Sequence, residues 1–186
     1  MIGHAFIAGL LSGSPGEPVT FDPTDKGADV ALSGGNLTAT WSQVSGYQSV
    51  RTASAKAVGK FYIELNCGAQ VEAGVWRAAD YAATGASVSG GATGAIGFNL
   101  TGSAAQIAID LDRKLYWRRS SGAASWNGNP SADPAEGIGG VDISSLTGDL
   151  YFAVSTSTYL NGPATANFGA AGFAADPPYG YERWTF

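Results

Sequence analysis

At 186 residues the chain suits a single domain, and its 45% hydrophobic content is enough to build a core. Only 13% of residues are charged, against about 25% in an average soluble domain, so small polar residues must cover the surface. A formal net charge of -5, with Lys and Arg totalling only 10, excludes the concentrated basic patch that a nucleic-acid backbone requires.

Taken in chain order, the N-terminus carries an apolar run from Ala5 to Leu11. It is far short of the ~20 residues needed to cross a bilayer. No Lys or Arg precedes it, the first being Lys26, so it makes a poor secretory signal. Residues 1–17 are expected to form an arm and linker, with His4, Phe6, Ile7, Leu10 and Leu11 anchoring it to a partner chain. Ser12 to Pro18 (SGSPGEP) is the linker, and residues 18–186 form the domain.

Downstream, short strand-like segments recur between turn signals. Asn36 to Trp41 follows a Gly-Gly pair. Lys60 to Asn66 places Phe61, Ile63 and Leu65 on one face, with Tyr62 and Glu64 on the other. Gln70 to Trp76 turns Val71, Ala73 and Val75 inward, and Ala95 to Leu100 follows. The stretch from Ile107 to Pro130 reads as two strands joined by a tight charged turn. Ile107, Ile109 and Leu111 share one face, and Leu115 and Trp117 continue the alternation. Leu150 to Ser155 is a nearly continuous apolar run, suited to a central strand covered on both faces. Thr165 to Phe168 closes the series.

No segment sustains a 3.6-residue period, and the 27 glycines punctuate the whole chain. Many short strands separated by turns indicate an all-β protein of two packed antiparallel sheets, a β-sandwich. Two longer loops break the rhythm: 82–94, small and charge-free, and 127–140, turn-dense and acidic at its middle. Long loops in a compact domain carry function or lack order.

Segment order adds a resemblance. Phe21-Asp22-Pro23, Lys26-Gly27 and Leu32-Ser33 come first, then Gly59-Lys60-Phe61-Tyr62-Ile63-Glu64. Ile109-Asp110-Leu111-Asp112 leads into Lys114-Leu115-Tyr116-Trp117, followed by Trp126-Asn127-Gly128-Asn129-Pro130. Ala166-Asn167-Phe168-Gly169, Phe173 and Pro178-Tyr179-Gly180-Tyr181 complete the set. In this order the chain resembles the B30.2/SPRY domain family, in the form found in phage virion and bacterial proteins. The resemblance implies a concanavalin-like sandwich of two curved antiparallel sheets, recognition through loops at one rim, and no catalysis. Arg118-Arg119-Ser120-Ser121-Gly122 departs from the family's plainer turn, so a transferred binding site is less secure than the fold.

Chemistry-bearing residues are few. The chain has one histidine, His4, and one cysteine, Cys67, which excludes an internal disulfide and a four-ligand Cys/His zinc site. Cys67 follows a strand-like segment and is expected as a buried structural thiol. Gly59-Lys60 is followed by Phe61, not the Ser or Thr of a phosphate loop. Asp110 and Asp112 are expected to be neutralised by Arg113 and Lys114, while Glu64 and Glu72, if they faced the same side of neighbouring strands, would make a glycosidase pair. Asp133 and Glu136 offer oxygen ligands to calcium but lack EF-hand spacing. The reading expects neither metal nor cofactor.

Aromatic and amide side chains at strand ends offer the better binding surface. Trp76, Tyr81, Trp126, Asn127, Asn129 and Tyr159 are the candidate ligand-binding residues of the rim, Trp126 on an exposed loop and Trp76 alternatively in the core. The expected function is a non-enzymatic recognition module of a phage-type virion, on a tail fibre or head surface. Its partners would be a host-surface glycan or protein, other virion subunits through the arm, and further copies of itself, with no nucleic acid and no membrane insertion. The alternatives are a purely structural virion protein, a cytoplasmic peptide-binding adaptor and a carbohydrate-active hydrolase.

Overall fold

A computed structural model describes residues 16–42, 46–68, 70–102, 104–156 and 162–186. The arm residues His4, Phe6, Ile7, Leu10 and Leu11, and the rim residue Tyr159, lie outside these. Thirteen strands and no helix are present among the described residues. In chain order they are β1 (Phe21–Lys26), β2 (Val30–Ser33), β3 (Thr38–Trp41), β4 (Gln48–Thr52), β5 (Lys60–Cys67), β6 (Gln70–Arg77) and β7 (Ala95–Thr101). β8 (Ala104–Asp110), β9 (Leu115–Ser120), β10 (Val141–Asp142), β11 (Leu150–Thr156), β12 (Ala164–Asn167) and β13 (Glu182–Arg183) follow.

The strands form two sheets. One has five strands in the order β1-β4-β11-β6-β7; the other has eight, β10-β9-β8-β5-β12-β3-β2, with β13 added parallel on β5. Every other pairing is antiparallel. This is the expected sandwich. Alternation decides which side chains meet between the sheets: Phe61, Ile63 and Leu65 from β5, Ile107 and Ile109 from β8, Val71, Ala73 and Val75 from β6, and Phe152 and Val154 from β11. Burying each large apolar side chain contributes about 1.5–3 kcal/mol relative to leaving it exposed.

β11 occupies the centre of the smaller sheet, and both its faces are covered. Phe152 and Val154 enter the main core, while Ala153 joins Trp76 and Val88 on the opposite side. The continuous apolar run therefore has a physical cause. β9 departs from the expected pattern. Its register pairs Ile109 with Tyr116, so Tyr116 takes the core face and Leu115 and Trp117 point to the outer side.

The outer faces are clad by loops. Loop 78–94 lies over the smaller sheet, with Val88 completely buried and its amide bound to Ser155 Oγ at 3.1 Å. Gly74 and Gly97 pair across β6 and β7 and clear the space for it: a Cβ on Gly97 would stand 2.8 Å from the Val88 carbonyl. These two strand glycines thus permit the loop to pack closely. On the larger sheet, loop 127–140 and the C-terminal segment cover a second apolar cluster of Tyr62, Ala108, Trp117, Trp126 and Tyr181. Trp117 Nε1 donates to the Ile138 carbonyl at 2.8 Å, which pins the loop.

Candidate functional site

Beyond that cladding, part of the larger sheet's outer face stays open. Strand register aligns its outward side chains in two rows. Asn167, Glu64, Gln106 and Arg119 form one across β12, β5, β8 and β9; Thr38, Thr165, Asn66 and Ala104 form the next across β3, β12, β5 and β8. Two adjoining hollows, of about 250 Å³ and 320 Å³, open along these rows and share Gln106, Ser121 and Ala174. Ala104, Ala105 and Ala174 supply apolar surface, and Asn66, Gln106, Ser121, Thr165 and Asn167 supply amides and hydroxyls.

Glu64 organises the groove. One carboxylate oxygen accepts from Tyr62 Oη at 3.3 Å and the Ala175 amide at 2.9 Å. The other accepts from Asn167 Nδ2 at 3.1 Å and the Ala174 amide at 2.9 Å. Four donors occupy the roughly four acceptor positions of a carboxylate. Burial, reinforced by the Glu64 charge, holds the Tyr62 phenol above its ordinary pKa, so it remains a donor at neutral pH. At the far end Arg119 donates to Gln106 and lies over the Trp126 ring at 4.3 Å. That wall is rigid.

Five of the expected rim residues, Trp76, Tyr81, Trp126, Asn127 and Asn129, are among the described residues. Trp76 is fully buried beneath loop 78–94 and donates to the Thr93 carbonyl. Tyr81 packs edge-on against it at 5.1 Å and faces Arg51, itself held by Asp22 and Asp25. Trp126 is 6% exposed, correcting the expectation that its loop presents it to solvent, because Arg119 and the Trp117 cluster enclose it. Asn127 closes the edge of β9: its Oδ1 accepts the Arg118 amide at 2.9 Å and its own amide donates back to the Arg118 carbonyl. Asn129 is exposed and accepts the Ser131 amide in a local turn. These five described residues do not converge on one surface.

The carboxylates are likewise engaged. Glu64 and Glu72 belong to different sheets and point away from the core on opposite sides, so the pairing considered from sequence is excluded. Glu72 is buried and accepts from the Ser87 and Ser155 hydroxyls. Asp110 is fully buried, with Lys60 at 3.5 Å and Arg113 at 3.8 Å, whereas Lys114 reaches the Ala57 carbonyl instead. Asp112 accepts the Gly59 amide. Cys67 is buried, and burial pushes its thiol up to about 12, far from the thiolate a nucleophile requires. Among the described residues no three His, Cys, Asp or Glu side chains are grouped to hold a metal.

Sequence reading missed the groove, although Glu64, Asn66, Gln106, Thr165 and Asn167 lie at outward positions of strands. What joins them is the adjacency of β12 and β5, which are about a hundred residues apart in the chain.

No family model matches the chain, and no curated protein matches its sequence. Solved structures do resemble it. The TRIM65 PSpry domain superposes with a TM-score of 0.54 at 14% identity, covering 81% of this chain and 92% of that domain. The SPRY domain of human HERC1 gives 0.51 at 11% identity, covering 78% and 96%. Stonustoxin gives 0.55 at 13% identity over 81% of this chain, which spans only 27% of the stonustoxin chain. At these identities the likeness is one of fold, and that fold is the SPRY-like β-sandwich.

Proposed function

We propose that this chain is a non-catalytic recognition module of a phage-type particle, using the groove on its larger sheet to hold a neutral host-surface glycan. The observation that carries this reading is the groove's composition: amides and hydroxyls above an alanine floor, with the Glu64 carboxylate occupied by four protein donors and the Arg119 guanidinium held by Gln106 and Trp126. Amide and hydroxyl groups match the alternating donors and acceptors of sugar hydroxyls. A hydrolase of this shape needs a free general acid and base, and Glu64, Glu72, Asp110 and Asp112 are already engaged.

The particle assignment rests on the sequence resemblance and on the low surface charge. In this reading residues 1–17 anchor the module to a neighbouring subunit. Deleting residues 1–14 is expected to abolish incorporation into particles while the sandwich still folds, measured by blotting purified particles and by circular dichroism of the free protein. Undiminished incorporation removes the anchoring role.

A further inference from the structure

Each sheet edge other than that of β7 carries a device against unwanted pairing. β1 contains Pro23, three charged residues and an irregular register with β4. β2 is four residues long, and Lys26 donates to its Val30 carbonyl. β10 is two residues long, and beyond it Asn127 occupies both backbone groups of Arg118 on β9. Charges, prolines, short strands and side-chain caps are the usual protections of an exposed edge.

Within its own residues β7 has none of them. It is seven residues long (AIGFNLT), without proline or ionisable side chains, and pairs only with β6. Among the described residues, no backbone bond from residues 96–101 goes to anything but the β6 ladder. Along a strand with a single neighbour, alternate N–H and C=O groups face outward and remain available.

We infer that β7 is a homodimerisation edge, pairing antiparallel with β7 of a second copy to join two five-stranded sheets into one of ten. The strand is self-complementary about Phe98. Antiparallel pairing there sets Phe98 against Phe98 and Ile96 against Leu100 on the core-facing side, since Phe98 and Leu100 already pack in the core. On the outer side it sets Gly97 against Asn99 and Ala95 against Thr101. Along the strand itself apolar meets apolar and small meets polar, and the charge the structure places over this edge is the exposed Arg118 guanidinium, 5.0 Å from the Phe98 ring. A two-fold axis makes such an interface closed, so the assembly stops at two.

Two measurements on the full chain test this. Sedimentation equilibrium is expected to show a concentration-dependent species of twice 18.9 kDa. The double variant Asn99→Lys/Thr101→Lys, at two exposed positions, is expected to weaken association by about tenfold or more, with a melting temperature unchanged at a dilution where both chains are monomeric. A second double variant, Ala95→Cys/Thr101→Cys, is expected to form a disulfide-linked dimer under mild oxidation, because the proposed register brings those positions together between copies. The two sites are too far apart on one strand to bond within a chain. A chain that is monomeric at every attainable concentration overturns the inference. So does a dimer that ignores the lysines and fails to cross-link, which would place its contact on another surface or partner.

Discussion

Glu64 and Asn167 face each other across neighbouring strands, and the Asn167 amide donates to the Glu64 carboxylate at 3.1 Å. The same carboxylate holds the amides of Ala174 and Ala175, so a single side chain ties the segment after β12 to the sheet and shapes one wall of the groove. Hydrogen bonds to a charged acceptor contribute about 1.5–3 kcal/mol each before coupling. Glu64→Ala is therefore expected to speed amide hydrogen exchange at Ala174 and Ala175 and to lower stability by about 2 kcal/mol or more. Glu64→Gln, which keeps the shape but loses the charge, should fall between. Unchanged exchange at both amides would show that Glu64 does not hold this wall.

Trp126 illustrates how a residue placed on a loop by sequence becomes part of the interior. It is almost fully buried, with Arg119 stacked upon it and Trp117 in the same cluster. Removing a buried aromatic side chain costs about 3–5 kcal/mol. Trp126→Ala is accordingly expected to lower the melting temperature clearly in a denaturation experiment, through lost packing on Arg119 and the Trp117 cluster. A melting temperature equal to that of the parent would contradict the packing described for this loop.

The fold was legible because one face of each long strand is apolar. The alternation in Lys60–Cys67 and Ala104–Asp110 is plain in the residues themselves, and the first of these strands appears within one residue of its expected bounds. β1, β2 and β4 were harder to read. Their polar residues, such as Asp22, Asp25, Gln48 and Arg51, are drawn into ion pairs or lie buried, which local patterning does not reveal. The groove was invisible for a different reason. Glu64, Gln106 and Asn167 become neighbours only through strand order, and strand order is a property of the whole sandwich. Loop 82–94 carried the opposite signal: its small residues suggested freedom, yet Ser87 and Val88 are buried against β6 and β11.

Acid stability should depend on Asp22. Burial opposes its ionisation, but hydrogen bonds from Thr24 and the charge of Arg51 outweigh burial, and its pKa lies below the ordinary 3.8. The native state thus binds this proton less readily than the unfolded chain. The resulting stability is present above the ordinary carboxylate value and is lost as pH falls through the lower native one. Asp22→Asn is expected to flatten that acid limb, compared by denaturant titrations from neutral pH down to about pH 2. An identical acid limb in the variant would assign the dependence to other carboxylates.

Recognition in the groove is tested most directly by plugging it. Asn66 is exposed at the centre of its row, so Asn66→Trp should fill the hollow without disturbing the core. The measurement is binding of the parent and variant chains to immobilised neutral glycans, with the eluted glycan examined for cleavage. The account predicts a glycan that the parent retains and returns intact, and that the plugged variant releases. Equal retention by both chains, or a shortened product from the parent, would contradict it.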